Sequence, residues 1–428
     1  MTRLVELATR RTFRSLRVRN YRLFFFGQLV SVSGTWMQQI AQDWLVLRLS
    51  GRALPVGIAT ALQFLPTLLF GFWTGLAADR LDKRRLLVGA QIAMGGLALV
   101  LGVLTVTGAV RVWMVYVLAF LLGCAMTVDM PARQAFVVEM VGPDKVVNAV
   151  SLNSAMFNSA RVVGPAFAGV LISAFGIAPA FFVNAVSFLA VIAALLAMDP
   201  SRLHRGAPAP RSPGQVRAGI RYVWATPVLR STLLLVAIVG TLSLNSRVVL
   251  PLLARFTFDG DASLYGTLAS VMAVGSVVGA LGVARRGRPT RRLLLGAATA
   301  FGVSATLAAV APSVGTELVA LCLLGGTSIA FLATANSTLQ LNSSSAMRGR
   351  VMALYGLLFL GTTPLGSLLV GWLAERFGPR SGLVLAGVGA LVAVAVAAVA
   401  DALHRRTTET AETAEGEPSA APSPGAAA

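Results

Sequence analysis

Apolar stretches and short charged segments alternate along the whole chain. Residues 55–78 and 86–110 carry no charge, whereas the segment between them is densely charged. A helix of about 20 apolar residues crosses the hydrocarbon core of a bilayer, so each stretch is long enough to be a membrane span. Apolar stretches of about 18 residues or more predict twelve spans at 21–47, 55–78, 86–107, 112–130, 147–172, 178–198, 229–253, 264–284, 293–311, 317–337, 350–374 and 382–402.

The distribution of Arg and Lys predicts the orientation of these spans. Of the 36 basic residues, 28 lie in segments that would face inside, 6 in the opposite loops and 2 within spans. Short cytoplasmic loops of membrane proteins carry an excess of basic residues. We therefore expect a multi-pass protein of the cell inner (plasma) membrane. Both termini are expected in the cytoplasm because the number of spans is even.

Composition supports a membrane protein over a soluble one. The chain of 428 residues is 56% hydrophobic and 12% charged, about half the charged fraction of a soluble domain. Its net charge of +19 comes from the basic loops, and no basic helical face with interleaved aromatic residues indicates binding to nucleic acid. The two cysteines, Cys124 and Cys322, fall within spans and are predicted to be packing residues rather than a disulfide or metal site. Neither a metal nor a cofactor is predicted.

The longest connection, residues 199–228, separates six spans from six. It begins Pro-rich, which is typical of a flexible linker, and ends in an amphipathic helix candidate at about 214–225 that fits a membrane surface. Loop positions recur in the two halves, as Arg84-Arg85 and Arg291-Arg292, which favours two parallel repeats. We expect an all-α integral membrane protein whose twelve transmembrane helices form two six-helix pseudo-symmetric bundles around a central cavity. The predicted segments are a cytoplasmic N-terminal segment (1–20), a first bundle (21–198), a cytoplasmic linker (199–228), a second bundle (229–402) and a disordered cytoplasmic tail (403–428).

The charged segment between spans 2 and 3 carries a family motif. Its sequence is Gly75-Leu-Ala-Ala-Asp79-Arg80-Leu-Asp82-Lys83-Arg84-Arg85-Leu-Leu87. It resembles the signature loop G-x-L-A-D-R-x-G-R-K-x-x-L of the major facilitator superfamily, with Ala77 and Asp82 in place of the Leu and the second Gly. This variant is similar to the branch that contains enterobactin-type siderophore exporters and macrolide-efflux proteins. The resemblance covers about residues 10–405 and implies the fold of that superfamily.

A second motif lies in span 5. Ala160-x-x-x-Gly164-Pro165-x-x-Ala168-Gly169 is similar to the G-x-x-x-G-P-x-x-G-G motif of drug/proton antiporters and differs from it at the first and ninth positions. The resemblance implies export of drug-like molecules coupled to proton influx. Span 4 lacks the Arg that many of those antiporters carry, since residues 112–128 are uncharged.

The motif loop is the predicted conformational switch. Negative charge at Asp79 would favour the N-terminus of a neighbouring helix, and in the superfamily this residue braces span 2 against span 11. We expect Lys83 to pair with Asp79, and Asp129 at the inner end of span 4 to extend the pair into a network. The alternative is that Asp79 is a solvated loop charge. The candidate set is Gly75, Asp79, Arg80, Lys83, Arg84 and Asp129.

Charged residues within spans are candidates for a gate or a proton site. Asp43 and Arg247 lie in the outer halves of spans 1 and 7, which are equivalent in the two repeats and face each other in the superfamily. They predict an outer gate, with Asp43 the candidate for reversible protonation; alternatively, Asp43 reaches the headgroup region beside Trp44. Arg161, near the middle of span 5, is either a static ion-pair partner or a substrate- or proton-coupled site. A charge at that depth costs about 2.5–3.5 kcal/mol on insertion scales and must face a cavity or a partner.

Polar side chains on the spans expected around the cavity are candidates for substrate contact. Trp36, Gln39 and Asp43 share one face of span 1, and Asn158 and Arg161 are three residues apart in span 5. Each alone is better explained by a hydrogen bond between helices, but as a set they indicate an amphiphilic cavity. The predicted lining is Gln28, Trp36, Gln39, Asn158, Arg161, Asn245 and Asn336.

Four classes of function are weighed against these features. The first is a proton-coupled exporter of amphiphilic small molecules (drug, antibiotic or siderophore-like) that works by alternating access; the second, an importer or facilitator of a small metabolite, shares the fold. An enzyme is disfavoured because both histidines, His204 and His404, lie outside spans, and no GxxxxGK[ST] loop supports ATP-driven transport. A scaffold or sensor would need a soluble receiver domain. We expect a non-enzymatic monomer whose partners are a small-molecule substrate, protons and the lipid bilayer.

Overall fold

The computed structural model describes residues 13–204, 215–243, 245–286, 289–344 and 347–415. Side chains are described within these ranges except at 72, 75–79, 215–216, 243, 286 and 400–415. All regular elements there are helical, with short 3-10 turns at Arg14–Arg17, Pro143–Lys145 and Pro200–Arg202. The α-helices in chain order are α1 Arg19–Ser50, α2 Leu54–Arg80, α3 Lys83–Val106, α4 Val112–Val141, α5 Val146–Phe175, α6 Ala178–Leu196, α7 Gln215–Ala225, α8 Pro227–Ser243, α9 Ser246–Leu252, α10 Ala262–Arg286, α11 Arg291–Val310, α12 Val314–Leu341, α13 Arg348–Leu360, α14 Thr363–Phe377 and α15 Ser381–Glu415.

Eleven helical segments in the described part of the chain are long and apolar enough to cross a membrane. They coincide with predicted spans 2 to 12. The predicted first span is α1, a helix of 32 residues that is not among the eleven. Its hydropathy is lowered by polar side chains, which are Gln28, Gln38, Gln39, Gln42 and Asp43.

Two predicted spans are broken into two helices each. Span 7 consists of α8 and α9, which are separated at Asn245, and continues as a π-helical turn over Leu253–Thr257. Span 11 consists of α13 and α14, which are separated where Pro364 begins the second helix. The predicted spans 229–253 and 350–374 nevertheless coincide with the candidate membrane segments Pro227–Thr257 and Arg348–Phe377. Apolar composition does not reveal such breaks, because an Asn side chain that bonds to nearby backbone or a Pro without an N–H interrupts a helix without adding charge.

Helices α1–α6 pack mainly against one another, and α8–α15 do the same. Two seams join these halves, α5 against α10 and α2 against α14. The backbones approach closely at glycines: a Cβ added to Gly266 would lie 2.4 Å from the Pro165 carbonyl oxygen, and one added to Gly57 would lie 2.5 Å from the Ser367 carbonyl oxygen. Small residues at such positions let membrane helices pack at short range. The seams therefore bring the two halves together at one end of the molecule.

The connecting and terminal segments follow the sequence only in part. Helix α7 occupies the place of the predicted linker helix and packs against α8 and α13, with Val223 buried and Arg217 and Arg221 exposed. Helix α15 continues to Glu415, so the residues after 402 that are predicted to be disordered are helical as far as that position. Residues 1–12, 205–214 and 416–428 of the predicted terminal and linker segments lie outside the described residues.

Candidate functional site

An ion pair joins the two halves of the molecule. The Asp43 carboxylate on α1 accepts hydrogen bonds from Arg247 Nη2 at 2.9 Å and Nε at 3.3 Å, and from the Tyr265 hydroxyl at 3.0 Å. Arg247 also donates from Nη1 and Nη2 to the Gln63 side-chain oxygen, at 3.2 Å each. Asp43 is 1% exposed and the Arg247 side chain 17%. We call Asp43, Arg247, Tyr265 and Gln63 the lock, because α1 and α2 of the first half are tied through it to α9 and α10 of the second.

The break in span 7 positions Arg247 in the lock. Asn245 lies at the break, where its amide donates to the Thr241 carbonyl at 2.9 Å, and Arg247 follows in the first turn of α9. The guanidinium also lies over the Phe64 ring, 5.8 Å from its centroid. Trp44 stacks on Tyr265 with ring centroids 6.4 Å apart. Aromatic rings thus cover the ion pair and exclude water from it, which strengthens the attraction between the two charges.

Two more contacts close the same end of the molecule. Glu375 of α14 pairs with Arg52 and accepts from the backbone N–H groups of Ala53 and Leu54 at 2.9 and 3.0 Å. These N–H groups are unpaired donors at the start of α2, so the carboxylate caps that helix. Ser173 at the end of α5 donates to Asp261, just before α10, at 3.1 Å. We call this end, with the lock and these two contacts, the locked end.

A cavity of about 650 Å³ begins at the lock, since Gln63 belongs to both. It extends along the first half to Asp129 and Arg133. Its wall combines polar residues with apolar ones, among them Phe64, Met94, Met126, Phe157 and Phe188. Four of the predicted substrate contacts line it: Gln28, Trp36, Gln39 and Asn158.

Arg161 and Asn245 border a second, smaller cavity of about 160 Å³ between the halves. Apart from these two residues, Ser246 and Ser328, the wall is apolar. Arg161 also stacks on Trp36 of the larger cavity, with its Cζ atom 5.8 Å from the ring centroid. Of the predicted lining, Asn336 alone borders neither cavity; its side-chain oxygen accepts a hydrogen bond from Gln340 one turn further along α12.

Lys83 has a partner that the sequence analysis does not name. Its ammonium lies 2.8 Å from Glu139 of α4. Helix α4 continues to Val141, well past the predicted end of span 4 at residue 130, and this extension carries Glu139 to the motif loop. Asp129 accordingly does not lie at the inner end of its helix. It accepts from Gln91 at 2.8 Å and pairs with Arg133 at 3.4 Å. The pair of Lys83 with Asp79 and its extension to Asp129 stay predictions, because the Asp79 side chain lies outside the described residues.

Other residues of the motif loop tie the first half together. Arg84 donates from Nε and Nη2 to the carbonyl oxygens of Leu195 and Leu196, at 2.7 and 3.1 Å, and so holds α3 against the end of α6. Asp82 caps α3 by accepting from the Arg85 N–H at 3.0 Å. Arg80 is exposed in the last turn of α2. The side-chain environment at residues 75–79, which include Gly75 and Asp79, lies outside what the structure describes, so the predicted brace of span 2 on span 11 stays a prediction.

The span-5 motif lies at close helix contacts. A Cβ on Gly164 would lie 2.6 Å from the Trp36 Cβ, and one on Gly169 would lie 3.0 Å from the Ser263 Cα. Pro165 gives the carbonyl oxygen against which Gly266 of α10 packs. The motif therefore packs α5 against α1 on one side and against the second half on the other.

The model of the transmembrane secretion effector family matches residues 10–423 of this sequence. The chain belongs to this family of the major facilitator superfamily. The chain is 31% identical over 377 residues to the multidrug efflux pump Tap of Mycolicibacterium fortuitum, covering 83% of this chain and 89% of that protein. It is 26% identical to the staphyloferrin A transporter of Staphylococcus aureus, covering 83% and 89%. It is 25% identical to macrolide efflux protein A of Streptococcus pyogenes, covering 86% and 93%.

Solved structures share the fold of this chain. A bacterial homologue of the human lysosomal transporter Spinster, in an inward-facing and unoccupied conformation, superposes with a TM-score of 0.72 at 16% identity and covers 89% of this chain and 96% of that one. A bacterial homologue of the iron transporter ferroportin, in an inward-facing state, superposes with a TM-score of 0.69 at 16% identity, covering 89% and 98%. The family and its neighbours are membrane transporters and efflux proteins, so the expectations of a multi-pass membrane protein and of an efflux-type member of the superfamily are confirmed.

Several residues of the site are missing from the sequence predictions. Tyr265 and Gln63 complete the lock, Arg133 pairs with Asp129, and Glu139 holds Lys83. Gln63 has a signal, because it is a large polar residue within the uncharged span 55–78. Tyr265 has none, since a Tyr near the end of a span is equally typical of the membrane interface.

Proposed function

We propose that this chain exports amphiphilic small molecules across the plasma membrane by alternating access, coupled to proton influx. It acts as a monomer of twelve transmembrane helices in two six-helix bundles, with both termini in the cytoplasm. The efflux proteins among its relatives support export over import, because the pump Tap and macrolide efflux protein A are named for it. The excess of basic residues in the inner loops supports the orientation, which makes the locked end the outer one.

The lock is the observation that carries the proposal. It joins the halves at one end, while the larger cavity extends from Gln63 to Asp129 and Arg133 away from that end. A transporter that alternates must close one end of a central site while the other gives access to it. The contacts across the locked end support the assignment of this arrangement to an inward-facing state with a closed outer gate.

Asp43 is the proposed proton site. As a carboxylate it attracts Arg247 and accepts three hydrogen bonds; as a carboxylic acid it loses the charge that holds Arg247. In the outward-open state Asp43 is separated from Arg247 and takes up a proton from outside. The proton-loaded carrier then returns to the inward-facing state, where the proton leaves toward the cytoplasm and the ion pair with Arg247 forms, which holds the outer gate closed until substrate binds. Proton entry is in this way tied to each return of the carrier without substrate.

The motif loop is the proposed switch at the cytoplasmic end. Lys83 and Arg84 hold α3 to α4 and α6, so the loop moves with the first half as one body. We propose that Gly75, Asp79 and Arg80 make contacts with the second half when the outer gate opens. The span-5 motif, through Gly164, Pro165 and Gly169, supplies the close seam on which the halves rock.

Energised transport in everted membrane vesicles tests the proposal. In everted vesicles the lumen corresponds to the outside of the cell. When the lumen is acidified, so that protons flow out of the vesicles, we expect an amphiphilic fluorescent substrate to accumulate in the lumen and the luminal pH to rise. Asp43→Asn is expected to abolish this coupled uptake. The exchanged pair Asp43→Arg with Arg247→Asp is expected to transport better than either single variant. Uptake that is unaffected by dissipating the gradient would contradict proton coupling, and a swap no better than the single variants would contradict the gate.

A further inference from the structure

Arg161 differs from the other charges around the two cavities in having no counter-charge. Asp43 pairs with Arg247, and Asp129 pairs with Arg133. Among the residues that the structure describes, Arg161 forms neither an ion pair nor a side-chain hydrogen bond, and its one polar contact is the Trp36 ring. The cavity walls therefore carry one uncompensated positive charge.

The position of Arg161 leaves its hydrogen-bond donors available to a ligand. The guanidinium lies over the Trp36 ring, 5.8 Å from its centroid, and this cation–π contact uses none of the N–H donors along its edges in a hydrogen bond. The smaller cavity borders the same side chain, with Asn245 and Ser246 of the opposite half in its wall. A planar fork of N–H groups beside a cavity matches a carboxylate, which it binds with two parallel hydrogen bonds.

The surroundings of Arg161 select for an apolar body next to that anionic group. Phe301, Met272, Leu324 and Phe359 line the smaller cavity, and no carboxylate is among the residues that border it. A cation in this cavity would meet Arg161 without an available carboxylate, because Asp43 and Asp129 already have basic partners. An uncharged amphiphile would leave the positive charge of Arg161 without a counter-charge, whereas an anion would neutralise that charge.

We propose that Arg161 binds the carboxylate, or an equivalent oxygen-rich anionic group, of an amphiphilic substrate, so that the transporter prefers anionic cargo over cationic cargo of the same body. This assignment rests on the proposed export function for its physiological meaning. The binding preference itself is a property of the site and can be measured without transport.

Three dansyl probes with the same apolar body test the preference. They are dansylglycine, which is an anion, dansylglycinamide, which is uncharged, and the mono-dansyl derivative of ethylenediamine, which is a cation. Binding to the purified full-length protein is measured by dansyl fluorescence in nanodiscs of phosphatidylcholine alone, so that no anionic lipid competes. We expect dansylglycine to bind about 10- to 100-fold more tightly than the cation, the range for a hydrogen-bonded charge pair.

Variants separate an ionic role of Arg161 from a structural one. Arg161→Gln is expected to weaken dansylglycine binding about 10- to 100-fold and to leave the uncharged amide within about twofold, whereas Arg161→Lys keeps part of the preference because it keeps the charge. Arg230→Gln is the matched control: Arg230 is exposed and stacks on Trp224 at 5.9 Å. We expect no change from it.

Two results would overturn the assignment. One is a wild-type protein that binds the cation as tightly as the anion; the other is an Arg161→Gln variant that weakens all three probes equally, which indicates a structural role. The same probes in everted vesicles distinguish this failure from that of the export proposal. An anion preference without gradient-driven uptake would count against export alone, and uptake without an anion preference would count against the Arg161 assignment alone.

Discussion

Removing the Asp43 carboxylate is expected to open the locked end. In Asp43→Asn the side chain keeps its size and one acceptor oxygen, but Arg247 loses its counter-charge and stays buried with uncharged acceptors, which are the introduced amide and Gln63. The closed state then contains a buried guanidinium without a counter-charge. Opening the gate exposes that guanidinium to water, so the substitution favours the outward-open state.

The size of the shift follows from burial. Breaking a buried ion pair by removing one partner costs about 3–5 kcal/mol. At about 1.4 kcal/mol for each factor of ten, the ratio of closed to open molecules falls about 100- to 4,000-fold. The Arg52–Glu375 pair crosses between the halves at the same end, but the Arg52 side chain is 68% exposed. Arg52→Gln is therefore expected to cost about 0.2–1 kcal/mol, a change of less than about sixfold.

Distances between spin labels measure this ratio. Phe175 at the end of α5 and Phe377 at the end of α14 are 74% and 70% exposed, belong to different halves and lie at the locked end. Cysteines replace them in a background in which Cys124 and Cys322 are alanine. We expect a single short distance in the unsubstituted background, a longer one added in Asp43→Asn, and little change in Arg52→Gln.

A double-mutant cycle decides whether the lock itself is responsible. Asp43→Asn and Arg247→Gln are each expected to open the gate, and the double variant is expected to open it less than the sum, because the second change removes the charge that the first left unpaired. The reasoning is refuted if the coupling between Asp43 and Arg247 is no larger than that between Arg52 and Glu375. It is refuted equally if the closed distance persists unchanged in Asp43→Asn.

Two further predictions concern packing and burial. Gly275→Ala places a Cβ 1.9 Å from the Cys322 carbonyl oxygen. It is expected to lower the unfolding free energy by about 1–3 kcal/mol. Gly282→Ala on the same helix is the control: its Cβ meets nothing within 4 Å, and it is expected to raise the thermal midpoint slightly, since Ala is the better helix former. Glu317 is fully buried, and its carboxylate oxygens accept no hydrogen bond among the described residues. Glu317→Gln is therefore expected to stabilise the protein by about 1 kcal/mol, because relief of about 1–3 kcal/mol is offset in part by losing a charge in the first turn of α12. Thermal melts measure the midpoints of all three variants. Equal midpoints for the two glycine variants would contradict the packing prediction, and a midpoint for Glu317→Gln below that of the unsubstituted protein would contradict the burial prediction.

The pairing of Asp43 with Arg247 was predictable because charge within an apolar span is costly. Each of the two residues needs a partner or water, and each lies at a similar depth in equivalent spans of the two halves. Span positions follow from the same cost, since charged residues stay near the ends of apolar stretches. Tyr265 and Gln63 carry no charge and impose no such demand. Only the packing of α10 and α2 around Asp43 shows that they belong to the lock.

Glu139 is missing from the predicted partners of Lys83 for a different reason. The sequence places the end of span 4 at residue 130 because Asp129, Arg133 and Glu139 follow closely upon one another. In the structure the helix continues to Val141, since Asp129 and Arg133 neutralise each other at the cavity and Glu139 reaches the motif loop. Charge shows where a helix needs compensation but not whether it ends there. Identifying the partner requires knowing which helix packs alongside, and the sequence of one chain does not supply that.

The break in span 7 connects the Arg161 site to the lock. Asn245 borders the same small cavity as Arg161, and Arg247 follows it by two residues in the first turn of α9. A ligand can shift the equilibrium between two states only by the difference in its affinity for them. A ligand held by Arg161 on α5 and by Asn245 on the opposite half has such a difference, because the two residues move relative to each other when the halves rock. We expect substrate binding at Arg161 to change the position of α9, and therefore the strength with which Arg247 holds Asp43.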